Sequence, residues 1–341
     1  RIPSVDSDPQ NPQILYAATN QGVARSMDGG GTWECPISPM TGGHMVVATR
    51  ENQPGSVYTG STGIVEWSMN NGVDWQTSEI DPSLGDSGPD ISDIAFDPLD
   101  SSRLFAATAK YDYGLGLGIG DLYISSDNAQ TWDSMQLGLQ VNAVETTVRE
   151  GETLVYAGVG DNFQASVAGG IYRWTENTEW TQMGLADEIV NVIAIHPEDP
   201  DIIYVGLARG PSVSGSWRPI YRTSNGGLVW EQVSLDIDDG VVEAIIFDPN
   251  DPNSIIVSAY NQLFKSINGG ATWLEIYEGR YGETFMALHI PITPSSGQAL
   301  QEKSSPDIGR TSSKLTYLGT SMGLYKGIPE IFNTFLPIIE N

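Results

Sequence analysis

A short motif recurs along the chain and restricts the folds that the chain can adopt. It begins with Ser or Thr, carries Asp or Asn at its third position and closes with Trp; the clearest copy is Ser266–Trp273. The other copies are Ser26–Trp33, Ser68–Trp75, Ser125–Trp132 and Thr223–Trp230, with a worn copy at Trp174–Trp180. The closing tryptophans lie roughly 40 to 60 residues apart, which is the period of a propeller blade. The spacing therefore predicts an array of similar units.

The residue types of the motif have a structural explanation. An Asp or Asn before glycine favours a tight turn, because its side-chain oxygen accepts main-chain N–H bonds and glycine adopts positive φ angles. The Trp ring is large enough to fill the gap between neighbouring sheets. We therefore predict a scaffold role for the motif residues, which are Asp28, Trp33, Asn70, Trp75, Asp127, Trp132, Asn225, Trp230, Asn268 and Trp273.

Seven apolar segments that are typical of strands each open one unit. They are Ile2–Val5, His44–Val47, Ile91–Ile94, Val141–Val144, Val190–Ile193, Val242–Ile245 and Phe285–Leu288. The many short strands that this pattern needs fit a chain with 38 glycines and 20 prolines. We predict an all-β fold, a seven-bladed β-propeller with four-stranded antiparallel blades, over residues 1–327, followed by an apolar tail over residues 328–341.

The motif and its surroundings resemble the BNR, or Asp-box, repeat. The wider repeat pattern is also present, with an Asp-Pro turn at Asp8–Pro9 and a strand of the Ile-Tyr-x-Gly type at Ile203–Gly206. In this form the chain is similar to the propellers of secreted xyloglucan-hydrolysing glycosidases, of sortilin and of the photosystem II assembly factor. The resemblance implies the propeller, but one fold hosts many functions. In the xyloglucanases it implies two propellers with a substrate cleft between them, each supplying an aspartate.

The composition excludes several classes of partner. The formal net charge of −27 repels nucleic acid and anionic membrane surfaces, and the sequence contains no membrane span. Because Cys35 is the only cysteine, no intrachain disulfide is predicted, and we expect this residue to be partly buried. An acidic chain with few lysines favours an extracellular or cell-surface location.

We predict no cofactor and no metal site. His44, His196 and His289 belong to different units, and His196 replaces the Asp of an Asp-Pro turn, so structural roles are favoured. Acidic turns such as Asp248–Asp251 and Asp236–Asp239 are the candidates for Ca²⁺, but they lack the spacing of an EF-hand loop. Solvated turns are the favoured interpretation.

Three successive units carry long segments between their second and third strands, at residues 108–121, 158–170 and 208–219. In a propeller these segments share one face, and ordering them costs entropy that packing or a partner must offset. We predict a face that binds a glycan or a protein; the alternative is that the loops pack on each other. The candidate binding residues are Tyr111, Tyr113, Phe163, Arg209, Trp217 and Arg218.

The tail leads to the functional prediction. Unit 7 lacks the motif, so the tail is expected either to supply the outer strand of its own unit or to pair with a neighbouring molecule. Its apolar residues are Ile331, Phe332, Phe335, Leu336, Ile338 and Ile339. We predict a secreted, non-catalytic surface propeller that acts in binding or in self-assembly as a homo-oligomer or polymer. The alternative is a polysaccharide-active glycoside hydrolase or carbohydrate-binding module, with candidate carboxylates at Asp86, Asp90, Asp112, Asp121 and Asp161.

Overall fold

The computed structural model of the protein describes most of the chain as short strands. It covers residues 1–341 except 40–42, 84–87, 113–116, 162–168, 209–218, 236, 238–240, 280, 281, 292–315, 328–335 and 341, and it describes the main chain alone at 111, 112, 117, 327 and 336–340. Within the described residues every regular element is a β-strand. These strands form seven separate antiparallel sheets, which we number as blades 1 to 7 in chain order.

The strand bounds follow the predicted units. Blade 1 contains β1 (Ser4–Ser7), β2 (Leu15–Thr19) and β3 (Gly22–Ser26). Blade 2 contains β4 (Val46–Ala48), β5 (Val57–Gly60), β6 (Ile64–Ser68) and β7 (Gln76–Glu79). Blade 3 contains β8 (Asp90–Phe96), β9 (Leu104–Asp112), β10 (Leu117–Ile119), β11 (Leu122–Ser125) and β12 (Asp133–Ser134). Blade 4 contains β13 (Val141–Arg149), β14 (Glu152–Val159), β15 (Gly170–Thr175) and β16 (Thr178–Gly184). Blade 5 contains β17 (Ile189–Ile195), β18 (Ile203–Ala208), β19 (Ile220–Thr223) and β20 (Glu231–Gln232). Blade 6 contains β21 (Val242–Asp248), β22 (Asp251–Ala259), β23 (Gln262–Ser266) and β24 (Leu274–Glu278). Blade 7 contains β25 (Phe285–His289), β26 (Thr316–Thr320), β27 (Gly323–Gly327) and β28 (Leu336–Glu340).

The first strands of the blades form a closed ring. The strands β1, β4, β8, β13, β17, β21 and β25 each contact the next one, and β25 contacts β1. Blades 7 and 1 are joined across this closure, because the Ile2 N–H donates to the Thr320 carbonyl oxygen at 2.9 Å. The predicted seven-bladed β-propeller is confirmed.

The antiparallel order assigns the connections to two faces. Turns between first and second strands, and the Trp-closed motifs between third and fourth strands, lie on one face, which we call the motif face. Connections between second and third strands and between successive blades lie on the opposite side, the open face. The first strands surround a central channel that runs between the two faces.

The motif turns are held by internal hydrogen bonds. In the first copy, Asp28 accepts bonds from the Ser26 hydroxyl and from the Thr32 N–H, each at 2.8 Å, while the Ser26 oxygen accepts from the Gly30 N–H. The Gly29 N–H donates to the Gln13 carbonyl oxygen at 2.8 Å and ties the motif to the first turn of its own blade. Gly29 and Gly30 have positive φ angles of 67° and 87°, which glycine adopts at little cost.

Buried tyrosines of the second strands connect the blades on the motif face. The Tyr204 hydroxyl of blade 5 donates to the Gly269 carbonyl oxygen of blade 6 at 2.7 Å. The Tyr317 hydroxyl of blade 7 donates to the Gly29 carbonyl oxygen of blade 1 at 3.1 Å. Because both tyrosines are almost fully buried, each bond also satisfies a hydroxyl that would otherwise be costly to bury.

Three details differ from the sequence-based expectation. The fourth strand of blade 1 is reduced to a bridge between Arg25 and Glu34, although the chain stays beside β3 as far as Ile37, whose N–H donates to the Val23 carbonyl oxygen at 2.9 Å. In the long segment of blade 3, β9 extends to Asp112 and pairs with β10, so this connection is in part a hairpin. Cys35, expected to be partly buried, is exposed.

The described part of the tail belongs to the propeller. Strand β28 pairs antiparallel with β27, with Leu336 opposite Lys326 and Ile339 opposite Leu324. Leu336, Ile338 and Ile339 therefore lie in the outer strand of blade 7, and the tail pairs with its own blade. The other predicted tail residues, Ile331, Phe332 and Phe335, lie outside the described residues.

Candidate functional site

Polar side chains at the open-face end of the channel connect neighbouring first strands. In blades 3, 4, 5 and 6 a β-bulge lies at the second residue of the opening pattern. The bulge residues donate across to the first carbonyl of the next blade: Ser92 to Val141 at 2.6 Å, Asn142 to Val190 at 3.2 Å and Asn191 to Val242 at 2.9 Å. This position is therefore a repeated hydrogen-bond donor site between blades.

Glu243 departs from this pattern. It occupies the bulge of blade 6 but carries a carboxyl group, which accepts a bond from the Asn191 amide at 3.4 Å. Burial raises the pKa of the Glu243 carboxyl to about 7, and the Asn191 bond and the Arg1 charge lower it only in part. A carboxyl group with this pKa is protonated in part at neutral pH, so it is able both to donate and to accept a proton.

Two further carboxyl groups with raised pKa values lie deeper in the channel. Asp93 accepts the N–H groups of Val144 and of Ile94, each at 2.9 Å, yet burial raises its pKa to about 7. Burial raises the pKa of Glu145 to about 8, and the neighbouring Asp93 adds to the effect. Both carboxyl groups are thus protonated more readily than a solvent-exposed acid.

A histidine completes the polar lining at the junction of blades 7 and 1. His289 Nδ1 lies 3.4 Å from Asp6 Oδ1, and His289 Nε2 lies 2.8 Å from the Ser7 hydroxyl. Burial lowers the pKa of the His289 imidazole, while the Asp6 charge opposes this shift. Asp6 in turn accepts bonds from the Thr49 N–H and hydroxyl, so the group is fixed between three blades.

The motif-face half of the channel contains a cavity of about 560 Å³. Its lining includes Asp6, Asp93 and Glu145, together with Arg50. The Arg50 guanidinium lies 4.6 Å from the centre of the Phe96 ring and donates to the carbonyl oxygens of Ser101 and Arg103. The structure thus divides the channel acids: Glu243 lies towards the open face, and Glu145 faces a cavity on the other side.

Most of the predicted binding residues cannot be located. Tyr113, Phe163, Arg209, Trp217 and Arg218 lie outside the described residues. Tyr111 lies in β9, opposite Gly118 of β10, and its main chain alone is described. The predicted binding face therefore stays a prediction.

The candidate open-face carboxylates have different environments. Asp90 is exposed and accepts a 2.5 Å bond from the Thr62 hydroxyl. Asp121 accepts main-chain N–H bonds from Leu137 at 2.8 Å and Gly138 at 3.2 Å, which is a turn-stabilising arrangement. Asp161 is buried and accepts the Gly118 N–H at 2.6 Å. Asp86 lies outside the described residues, and for Asp112 the main chain alone is described; among the three whose side chains are described, Asp90 is the exposed one.

Glu243 was missed in the sequence, although a signal for it is present. Aligning the openings Val141–Val144, Val190–Ile193 and Val242–Ile245 puts Glu243 in register with Asn142 and Asn191. The repeat therefore reveals a change from amide to carboxyl, but not the burial that alters its pKa.

The described residues include neither a cluster suited to a metal ion nor a membrane-spanning helix. In the part of the chain that the structure describes, no three His, Cys, Asp or Glu side chains are grouped to hold a metal ion. The described segments likewise include no helix with the length and apolar character needed to cross a membrane. His196 has the same place in its turn as Asp8 has in the first turn of blade 1. His196 Nδ1 lies 3.2 and 3.1 Å from the main-chain nitrogens of Glu198 and Asp199, and Asp8 Oδ1 lies 2.9 Å from those of Gln10 and Asn11.

The known proteins to which the chain is similar include glycoside hydrolases. No family model matches the chain. A stretch of 130 residues is 28% identical to the xyloglucanase Xgh74A of Acetivibrio thermocellus, covering 32% of this chain and 15% of that protein. Nearly the whole chain superposes on an ancestral GH74 enzyme (TM-score 0.71, 17% identity, 99% of this chain and 46% of the other) and on the Niastella koreensis GH74 enzyme (TM-score 0.71, 17% identity, 98% and 53%).

A propeller outside this group is similar as well. The structure of YCF48 bound to D1 peptide superposes with a TM-score of 0.57 and 15% identity, over 84% of this chain and 86% of the other. At these identities the superpositions establish the fold. The chain spans about half the length of the GH74 enzymes that it matches.

These findings correct the functional prediction. The interpretation as a non-catalytic surface propeller that self-assembles is wrong, because the relatives are xyloglucan-hydrolysing and other GH74 enzymes. Strand β28 also pairs with its own blade, which removes the unpaired edge on which the assembly argument depended. The polysaccharide-active alternative fits the comparisons better.

Proposed function

We propose that this chain is the propeller of a polysaccharide-active glycoside hydrolase and that its substrate is a neutral β-glucan of the xyloglucan type. The observation that carries the proposal is the 28% identity to the xyloglucanase Xgh74A over 130 residues, together with the superposition of nearly the whole chain on GH74 enzymes. The charge of −27 agrees with a neutral substrate, since it would repel acidic polysaccharides.

The open-face end of the channel is the proposed reaction site. Hydrolysis of a glycosidic bond requires a protonated carboxyl group that delivers a proton to the leaving oxygen and a carboxylate that activates water. Glu243 has the first property, because burial raises its pKa to about 7. Asp90, exposed at the start of β8 on the same face, is the proposed carboxylate; it belongs to blade 3 and Glu243 to blade 6, so the substrate would lie between blades that are not neighbours. This propeller supplies one wall of the proposed substrate site.

The motif and the location complete the proposal. We assign the Trp-closed motifs to the Asp-box repeat because their Ser, Asp and Gly residues make the bonds that such a turn needs, as in Ser26–Trp33. A β-glucan of plant walls is an extracellular polymer, so the protein is proposed to act outside the cell.

Product analysis tests this function. The purified chain is incubated with xyloglucan and, separately, with galactomannan, which is neutral but has a different backbone, and products are followed by mass spectrometry. We expect oligosaccharides from xyloglucan alone. Release of none from either polymer would contradict the hydrolase, and retention of xyloglucan without cleavage would instead favour a carbohydrate-binding module.

A further inference from the structure

The worn motif of blade 4 leaves a Trp-lined cavity on the motif face. In two intact copies a glycine packs on the closing Trp: a Cβ added at Gly72 would lie 3.3 Å from the Trp75 ring, and one at Gly227 would lie 3.6 Å from the Trp230 ring. In blade 4 the turn Thr175–Thr178 is short and contains no glycine. The space that a longer motif would fill is a cavity of about 580 Å³.

Two tryptophans form the apolar part of this cavity. Trp174 and Trp180 both line it, and both are partly exposed. The Trp180 Nε1–H donates to the Met135 carbonyl oxygen of blade 3 at 3.1 Å, and the Trp174 ring meets the Phe105 ring edge-on at 6.5 Å. The rings are therefore fixed by the body of the propeller, and binding would need little ordering of them.

The rim of the cavity is polar and anchored. The exposed residues Gln136, Glu176, Asn177 and Glu179 surround the rings. The Asn177 amide donates to the Glu152 carboxylate at 2.8 Å, and Arg103 forms an ion pair with Glu176. A second cavity of about 320 Å³ shares Glu176 and Asn177 and continues the groove towards Asp97 and Gly151.

We propose that this groove, named here the blade 4 groove, is a second saccharide-binding site that holds a segment of a neutral polysaccharide. Flat aromatic rings bind the apolar faces of sugar rings, while carboxylate and amide oxygens accept bonds from their hydroxyl groups. The acidic rim disfavours anionic polymers, and the continuation past Glu176 suits a chain rather than a single sugar. The groove lies on the opposite face from Glu243 and uses none of the reaction-site residues.

Affinity electrophoresis tests the groove directly. The acidic protein runs in native gels that contain xyloglucan, hydroxyethylcellulose or galactomannan, and retardation gives an association constant for each. We expect retardation by at least one polymer and a roughly tenfold weaker association for Trp180→Ala. Trp230→Ala is the matched control, since Trp230 Nε1 donates to the Met183 carbonyl oxygen at 3.0 Å but lies under an intact motif; its association should equal that of the wild type.

A second variant distinguishes loss of the groove from loss of the fold. Replacing Thr175–Trp180 with the sequence of Ser266–Trp273 builds an intact motif that fills the cavity and keeps the closing Trp. This variant should melt no lower than the wild type and bind as weakly as Trp180→Ala. Equal retardation of the wild type and both groove variants, or no retardation of the wild type by any of the three polymers, would overturn the proposal. The double variant Glu243→Gln, Asp90→Asn should retain this binding, so failure of the hydrolase proposal is distinguishable.

Discussion

The two faces of the propeller use their polar groups in different ways. On the motif face, polar and charged side chains form bonds between parts of the propeller. The Tyr317 hydroxyl donates to the Gly29 carbonyl oxygen, and Arg149 forms an ion pair with Asp201 at 2.9 Å. At the open-face end of the channel, the bulge position that donates a hydrogen bond to the next blade in blades 3 to 5 is occupied in blade 6 by Glu243. Its carboxyl group replaces the donor and accepts a bond from Asn191. The proposed hydrolase therefore has a scaffold on one face and its proposed reaction site on the other, with the blade 4 groove as the proposed exception.

The largest stability effect is expected for a motif tryptophan. Trp230→Ala removes a ring that contacts Gly184 and Gly227 and donates to Met183, so we expect a loss of about 3–5 kcal/mol. Trp217→Ala, in the predicted open-face loop, should change stability by less than about 0.5 kcal/mol and weaken glycan binding. Urea denaturation of both variants measures the contrast. Equal destabilisation by the two changes would break the division between the faces.

Removal of the outer strand of blade 7 is expected to have the next largest effect. Deleting residues 336–341 removes the β28 pairing with β27, and we expect a loss of about 2–4 kcal/mol from the lost main-chain bonds. The particle mass by light scattering should stay the same, because the tail pairs with its own blade. Dissociation of a larger particle into well-folded units would contradict this account of the tail.

The channel acids predict a pH dependence of stability. Because the pKa of Glu145 is raised to about 8 in the folded state, from an ordinary value of 4.5, the native protein binds more protons than the unfolded chain between these limits. Its contribution therefore becomes increasingly unfavourable as pH rises from about 4.5 to 8. Glu145→Gln should raise stability at pH 9 by at least about 1 kcal/mol and change it little at pH 4.

Thermal melts across this pH range measure the effect. Glu150→Gln is the control, because Glu150 is an exposed carboxyl group on the same blade. A stability difference between Glu145→Gln and wild type that is the same at pH 4 and pH 9 would show that Glu145 is not a buried acid.

The smallest effect is expected at a motif carboxylate. Bonds from the Thr32 N–H and the Ser26 and Thr32 hydroxyls lower the pKa of Asp28 to about 2. The ionised form thus contributes stability above the ordinary pKa near 3.8, and this contribution is lost as pH falls through about 2. Asp28→Ala should lower the melting temperature slightly at pH 7, whereas Asp28→Asn, the residue type at Asn70 and Asn268, should keep most of the stability. A melting temperature for Asp28→Asn as low as that of Asp28→Ala would contradict the turn role.

The sequence predicted the fold well because the information is local and repeated. A turn with Asp or Asn that is closed by Trp, as at Asp28 and Trp33, recurs in five clear copies, and seven copies of the opening strand determine the number of blades. The proposed reaction site was not predicted, because the raised pKa of Glu243 comes first from its burial, opposed by Asn191 and Arg1, and the fold brings these groups together from other blades. The worn motif at Trp174–Trp180 was recognised, but the cavity beside it depends on Met135 and Gln136 of blade 3.

The most direct test of the central claim compares two carboxyl groups of the same channel. Xyloglucan hydrolysis is measured for Glu243→Gln and for Glu145→Gln, with melting temperatures recorded for both. We predict a loss of at least about 100-fold in rate for Glu243→Gln, because a glutamine donates bonds but cannot deliver a proton, and an unchanged rate for Glu145→Gln. Equal rates in the two variants, or a larger loss for Glu145→Gln, would contradict the assignment of the chemistry to the open face.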